Sequence, residues 1–165
     1  MLGLPINTSL SNWLHSLEPR HSIATEYYSL IPKWRSGNIP FVDIAYDYNR
    51  SEHLRQASLI ELLAANITPT KRSTIIDLGT GDGWPSLPLA HIRPKAYVLG
   101  IDGSEQRLSR SRKNLSSLGL TNVDFIAADI RKIPVRSCTV DGVVASFAIE
   151  EAVDVGQAAR EIFRA

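Results

Sequence analysis

The chain has almost no cysteine. Cys138 is the single one in 165 residues, which excludes an internal disulfide and a cysteine-built metal cluster; no metal site is expected. Net charge is nearly absent too. With 18 basic and 17 acidic residues the balance is +1 at pH 7, no electrostatic footprint for nucleic acid or an anionic membrane. No apolar run approaches the roughly 20 residues that span a bilayer. The opening residues, Met1 to Asn7, lack the basic start and apolar stretch of a signal peptide. The sequons at Asn7, Asn66 and Asn114 therefore carry no meaning, and a cytoplasmic protein is expected. Repeats and low-complexity tracts are missing. What is present, 44% hydrophobic residues, suits one ordinary globular domain with a real core.

Composition shifts once, near residue 50. The segment before it is rich in aromatics: Trp13, Tyr27, Tyr28, Trp34, Phe41, Tyr46 and Tyr48. Helices are predicted around Ser11–Leu17 and Ser22–Trp34, so that residues 1–48 read as an N-terminal helical cap or lid. Asn49 and Glu52 fit a capping box for a helix whose Leu59, Leu62, Leu63 and Ile67 share one face. From Ser73 strands and helices alternate. Thr74–Leu78, Ala96–Ile101, Val123–Ala127 and Val140–Ser146 read as strands. Helices are predicted from Pro85 to Ile92, with Pro88 at the edge of tolerance, and from Ser104 to Gly119 with Leu108, Leu115 and Leu118 inward. Asp154 opens a last helix with Val155, Ala158 and Ile162 on one side. This alternation predicts an α/β fold, a doubly wound, Rossmann-like parallel sheet over residues 49–165.

In such sheets ligands bind outside the carboxyl ends of the strands, where strand order reverses. Asp77-Leu-Gly79-Thr80-Gly81-Asp-Gly83 sits at the first of those ends. Its glycines permit positive φ and close approach of backbone to a ligand. Asp77 can organise the loop and meet a cationic group. A carboxylate there would repel a pyrophosphate, although a nicotinamide or flavin site, or a plain tight turn, uses similar glycines. Asp102, about twenty residues past the turn, is placed to accept ribose hydroxyls. Asp129 can accept from an exocyclic amine, and Ile130 offers an apolar face to a purine. These features describe an amino acid joined to an adenosine.

The run resembles the class I S-adenosylmethionine-dependent methyltransferases, in particular the small-molecule group that includes quinone-biosynthesis enzymes. Asp77 to Gly83 matches the first family motif. Ile101-Asp102-Gly103-Ser104 matches the second, with Asn114 in the helix after it. Ala128-Asp129-Ile130 followed by Ile133-Pro134 matches the adenine-binding segment, and Val140 to Ser146 the strand whose end lines the methyl-transfer site. The resemblance implies S-adenosyl-L-methionine as cofactor, held by Asp77, Gly79, Thr80, Gly81, Gly83, Asp102, Gly103, Asp129, Ile130 and Ser146. It implies in-line transfer of the sulfonium methyl to a small-molecule acceptor, with neither nucleic acid nor membrane as partner. The fourth strand lacks the Asn-Pro-Pro-Tyr type sequence of amino-group methyltransferases and the Pro-Cys pair of the cytosine-C5 kind.

Where relatives carry histidines after the fourth strand, Glu150 and Glu151 stand here. Either is a candidate base or cation binder; the plainer reading is two glutamates favoured by the dipole of the following helix. Asp141 reads as a solvent-facing strand-start residue. Arg107, Arg110, Arg112 and Lys113 read as the solvated face of their helix. His53 and His91 are isolated, and Cys138 has no histidine partner. Relatives continue with three further strands. The chain is accordingly expected to be a fragment of an active methyltransferase, or a short form that binds the cofactor without independent catalysis. A fragment of an NAD-binding oxidoreductase is the third reading. The fourth strand has no edge-protecting residue, so self-association through Val140–Phe147 is expected.

Overall fold

Thr74-Ile-Ile-Asp-Leu78 is apolar apart from Asp77 because it forms β1, an inner strand of a parallel sheet. The computed structural model describes residues 9–17, 51–66 and 72–165. β1 (Thr74–Leu78) pairs on one side with β2 (Tyr97–Asp102) and on the other with β4 (Gly142–Ala145), while β3 (Val123–Ala127) pairs with β2. All three pairings are parallel, and the order is β3-β2-β1-β4. Register brings Leu78 level with Ile101 and Ala145, and Asp102 level with Ala127. The carboxyl ends therefore form one edge, and strand order reverses between β1 and β4. β4 has a single strand neighbour among the described residues, as the sequence implies.

Parallel strands need crossovers, and helices supply them. α3 (Ser86–Ile92) joins β1 to β2, α4 (Glu105–Leu118) joins β2 to β3, and α5 (Val155–Arg164) follows β4. The expected caps are present. Ser104 Oγ accepts from the Arg107 amide, and Gly119 closes α4 in the left-handed region. Asp154 Oδ1 accepts from the Gln157 amide at 2.9 Å. α3 starts at Ser86 after a cis Trp84–Pro85 bond, with Pro88 inside its first turn. Ile76, Leu78, Ile101 and Ile133 form a buried cluster, packed by Ile130, Val143 and Ile162. At the other end of the sheet Arg164 donates to the carbonyls of Val135 and Ile133 and to Glu161, pinning the loop before β4 to α5.

The chain divides into two compact units, Met1–Ser58 and Leu59–Ala165. In the first, α1 (Ser9–Ser16) buries Leu10, Ser11 and Leu14, near the predicted first helix. The predicted helix at Ser22–Trp34, the lid and the Asn49 cap lie outside the described residues. α2 (Ser51–Asn66) runs across the division.

Three inward faces differ from expectation. α2 buries Ala57, Ile60 and Ala64, and leaves Leu59, Leu62 and Leu63 exposed; the helix turns its small residues inward. α4 buries Leu108, Ser111 and Asn114 rather than Leu115 and Leu118, because that stripe meets polar backbone. In α5 Ala158 is buried and Ile162 packs inward, but Val155 is exposed. Asp141 is exposed at the strand start, as expected, and its carboxylate also accepts the Thr74 amide at 2.8 Å, tying β4 to the start of β1.

Asn122 deserves a test of its own. Its Nδ2 reaches the carbonyls of Ala90, Arg93 and Ala96 at 3.1, 3.2 and 2.9 Å, fastening the end of α3 to the start of β2. Asn122→Ala strands these carbonyls and is expected to cost about 1–3 kcal/mol. Asn122→Asp sets a carboxylate against three carbonyl oxygens and should cost more. Urea denaturation of both variants checks the order, and an aspartate variant more stable than the alanine one would refute the assignment.

Candidate active site

The turn after β1 is the first thing the sheet positions. Gly79 and Thr80 both donate to the Ile101 carbonyl, at 2.8 and 3.1 Å, so the β1–β2 pairing continues into the loop. Gly79, Gly81 and Gly83 all have positive φ. At Gly79 a Cβ would come within 2.2 Å of the Ala148 Cβ, so the turn after β4 seats directly on the turn after β1. At Gly81 a Cβ would lie 2.5 Å from the Arg107 guanidinium carbon. Side chains are excluded from both positions by conformation and by space. Gly103, by contrast, borders open space, and no steric demand fixes a glycine there.

Asp77 is fully buried. Its Oδ2 accepts from the Ser86 amide at 2.9 Å and the Ser86 hydroxyl at 2.7 Å. Thr80 Oγ1 donates in turn to Ser86 Oγ at 2.8 Å. Oδ1 has no hydrogen-bond partner among the described residues. Burial pushes the Asp77 carboxyl up to about 7, against the pull of the Ser86 hydrogen bonds. Asp77 thus organises the turn through Ser86, and Thr80 is a member of that network. Ser86 was not legible as a site residue, since nothing local marks a serine after proline as the partner of a strand carboxylate.

Asp102, half-buried, uses Oδ2 to accept the Gly81 amide and Oδ1 to accept the Ser104 amide, each at 2.8 Å. Each oxygen keeps acceptor capacity for a further donor. Asp129 is exposed and held by Arg131 through the guanidinium and the main-chain amide. These hydrogen bonds lower its carboxyl to about 2. Ile130 is half-buried against the Leu78–Ile101 cluster. Ser146 is half-buried just past β4, and Phe147 beside it is 72% exposed with positive φ. Glu150 and Glu151 are exposed on a single 3-10 turn, Ile149–Glu151, after Ala148. They follow β4 on the carboxyl-edge side of the sheet. No group of acidic, histidine or cysteine residues fit for a metal occurs among the described residues, and no helix there is long and apolar enough to cross a membrane.

The cationic face of α4 is only partly solvated. Arg107 Nε binds Asp82 Oδ1 at 2.8 Å and Arg110 Nη1 approaches Asp82 Oδ2 at 3.5 Å, with Asp82 only 2% exposed. Arg112 and Lys113 are exposed as expected. Ser111 Oγ donates to the Gly81 carbonyl at 2.6 Å, and Asn114 Nδ2 to the Asp82 carbonyl at 3.1 Å. Asp82 went unread in the sequence. Its signal is an acidic residue between two turn glycines, with arginines three apart on the helix after β2.

The family described as "Methyltransferase domain" matches residues 69–165. Among curated proteins the chain is similar to ribosomal RNA small subunit methyltransferase G of Nostoc punctiforme. The match is 26% identical over 124 residues, 74% of this chain and 50% of that protein. It is also similar to the 23S rRNA uracil C5-methyltransferase RlmD of Methylococcus capsulatus, 30% identical over 70% of this chain and 26% of that protein. The chain spans half or less of the length of these curated relatives. Among solved structures it is similar to a SAM dependent methyltransferase from Aquifex aeolicus (TM-score 0.57, 26% identity, 64% of this chain and 56% of that one). The [4+2]-cyclase SpnF shares the fold at TM-score 0.62 and 23% identity, over 86% of this chain and 54% of that one. The chain belongs to the methyltransferase-domain family and has its class I, Rossmann-like fold.

Proposed function

We propose that this protein binds S-adenosylmethionine at the carboxyl edge of β1, β2 and β4 and directs transfer of its methyl group to a small-molecule acceptor. The observation that carries the reading is Asp77: a fully buried carboxylate with one unpartnered oxygen beside a glycine turn. Such a group is costly, and a local conflict of that kind is expected at a functional site. A ligand bearing an ammonium group offsets the cost, whereas a pyrophosphate adds to it. The glycine turn, the acceptor capacity of Asp102 and the apolar surface at Ile130 fit the remaining parts of that cofactor.

The cofactor supplies an electrophilic methyl group when bound. The chain's share is placement. Asp77 and Ser86 fix the turn, Asp102 orients a ribose through its free lone pairs, and Ile130 offers an apolar face to the purine. Ala148 seats against Gly79, so Ser146 and Phe147, just before it, would line the β4 side of a cofactor held at this turn. Holding donor and acceptor in line accounts for most of the rate gain in such a transfer. Glu150 and Glu151 remain the candidates for proton removal, where an acceptor requires it.

Near-zero net charge supports a small acceptor over RNA. A ribosomal RNA acceptor is the second reading, favoured by the names of the RNA-modifying relatives. They leave the expected absence of a nucleic-acid partner without support. A fold shared with a cyclase does not by itself fix the reaction, so methyl transfer must be read directly.

Calorimetric titration is expected to show binding of S-adenosylmethionine and S-adenosylhomocysteine and none of NAD; tight NAD binding without an adenosylhomocysteine signal would sink the reading. Asp102→Ala should weaken adenosylhomocysteine binding about tenfold or more, and an unchanged affinity removes Asp102 from the ribose role. Labelled methyl appearing in small molecules but not in ribosomal RNA supports the acceptor class, and the reverse overturns it.

Asp77 also makes stability depend on pH. Its unfolded pKa is 3.8 and its folded pKa about 7. The stability of the neutral form is therefore complete below pH 4 and lost as pH rises through 7, on the order of 4 kcal/mol. The melting temperature of Asp77→Asn should gain on the parent across that window while cofactor affinity falls. A difference in melting temperature that stays flat with pH refutes the ionisation cost.

A further inference from the structure

The glycine turn is gripped from outside by α4, through atoms that the cofactor reading does not use. Gly81 gives its amide to Asp102 and its carbonyl to Ser111. Asp82 gives its carbonyl to Asn114 and its carboxylate to Arg107 and Arg110. The Arg107 guanidinium also lies over Gly81, in the space a side chain there would need. A ring of hydrogen bonds therefore runs from Asp102 through Gly81 and Asp82 into α4. It returns to Asp102 through Ser104, whose amide binds Asp102 and whose hydroxyl caps the helix.

Resting on the S-adenosylmethionine reading, we propose that the part-buried Arg107–Asp82 pair is a positioning device for the cofactor. It sets the Gly81 amide against Asp102, and so aims the free lone pairs of that carboxylate at the ribose, without touching the cofactor itself. An ion pair with its carboxylate buried is a poor stabiliser compared with apolar packing of the same volume. What it adds over leucine and methionine is directional geometry, since the guanidinium fork fixes the carboxylate where a point charge leaves it loose. The device specifies where the turn lies more than how tightly the fold holds.

The test separates geometry from stability by measuring adenosylhomocysteine affinity and melting temperature on the full chain. Arg107→Met is expected to weaken binding by about tenfold, the scale of one misaligned hydrogen bond to a charged group, and Arg107→Lys to fall between it and the parent. The paired change Arg107→Met with Asp82→Leu removes both charges. It should restore the melting temperature while leaving affinity low, a result that a merely structural role does not produce. Affinity within twofold of the parent in the lysine and paired variants overturns the proposal, as does full recovery of affinity in the paired variant. Should Arg107→Met not fold, the lysine and paired variants carry the test. A parent protein that does not bind adenosylhomocysteine at all is the separate failure of the cofactor reading.

Discussion

The Ile101 carbonyl, taken by the amides of both Gly79 and Thr80, is the contact on which the rest of the site depends. It extends the β1–β2 ladder by one more step and then turns the chain sharply, which only left-handed glycine backbone allows. Everything downstream is placed by that step. The Gly81 amide arrives at Asp102, Ser86 arrives over Asp77, and Gly79 presents a bare surface for Ala148. Without the parallel register of β1 and β2 the two carboxylates would not share one turn between them.

The two carboxylates have opposite situations. Asp77 is buried with one oxygen unpartnered, and its ionisation is opposed. Asp102 is half-buried and anchored by two backbone amides. One stores an unfavourable charge at the turn, while the other is held ready to accept. A third carboxylate, Asp82, is buried nearly as deeply as Asp77 but neutralised by arginines. Three acidic groups, one in the turn and one at each of the two strand ends beside it, thus serve three purposes, set by burial and partners rather than by residue type.

Much of this arrangement was legible in the sequence. Thr74–Leu78 carries the continuous apolar run of a buried strand, and it and Val123–Ala127 both form as read. The caps at Ser104, Gly119 and Asp154 are local chemistry, so local sequence suffices to find them. The helical faces were less readable. In α4 a leucine count points to Leu115 and Leu118, yet Ser111 and Asn114 are buried because a polar turn, not an apolar surface, lies opposite. Arg107 and Arg110 look like a solvated face for the same reason. In α2 the small residues Ala57 and Ala64 go inward, which periodicity of large apolar residues cannot show.

By itself the sequence determined the strand–helix alternation, the glycine positions and the acidic residue at the end of each of the first strands. These follow from periodicity, backbone conformational freedom and capping, all of which act within a few residues. Only the tertiary structure decided which groups meet. The Asp77–Ser86 bond, the Asp82–Arg107 pair and the seat of Ala148 on Gly79 join residues 9, 25 and 69 positions apart. Such contacts depend on strand order and register, which are set by the packing of the whole sheet.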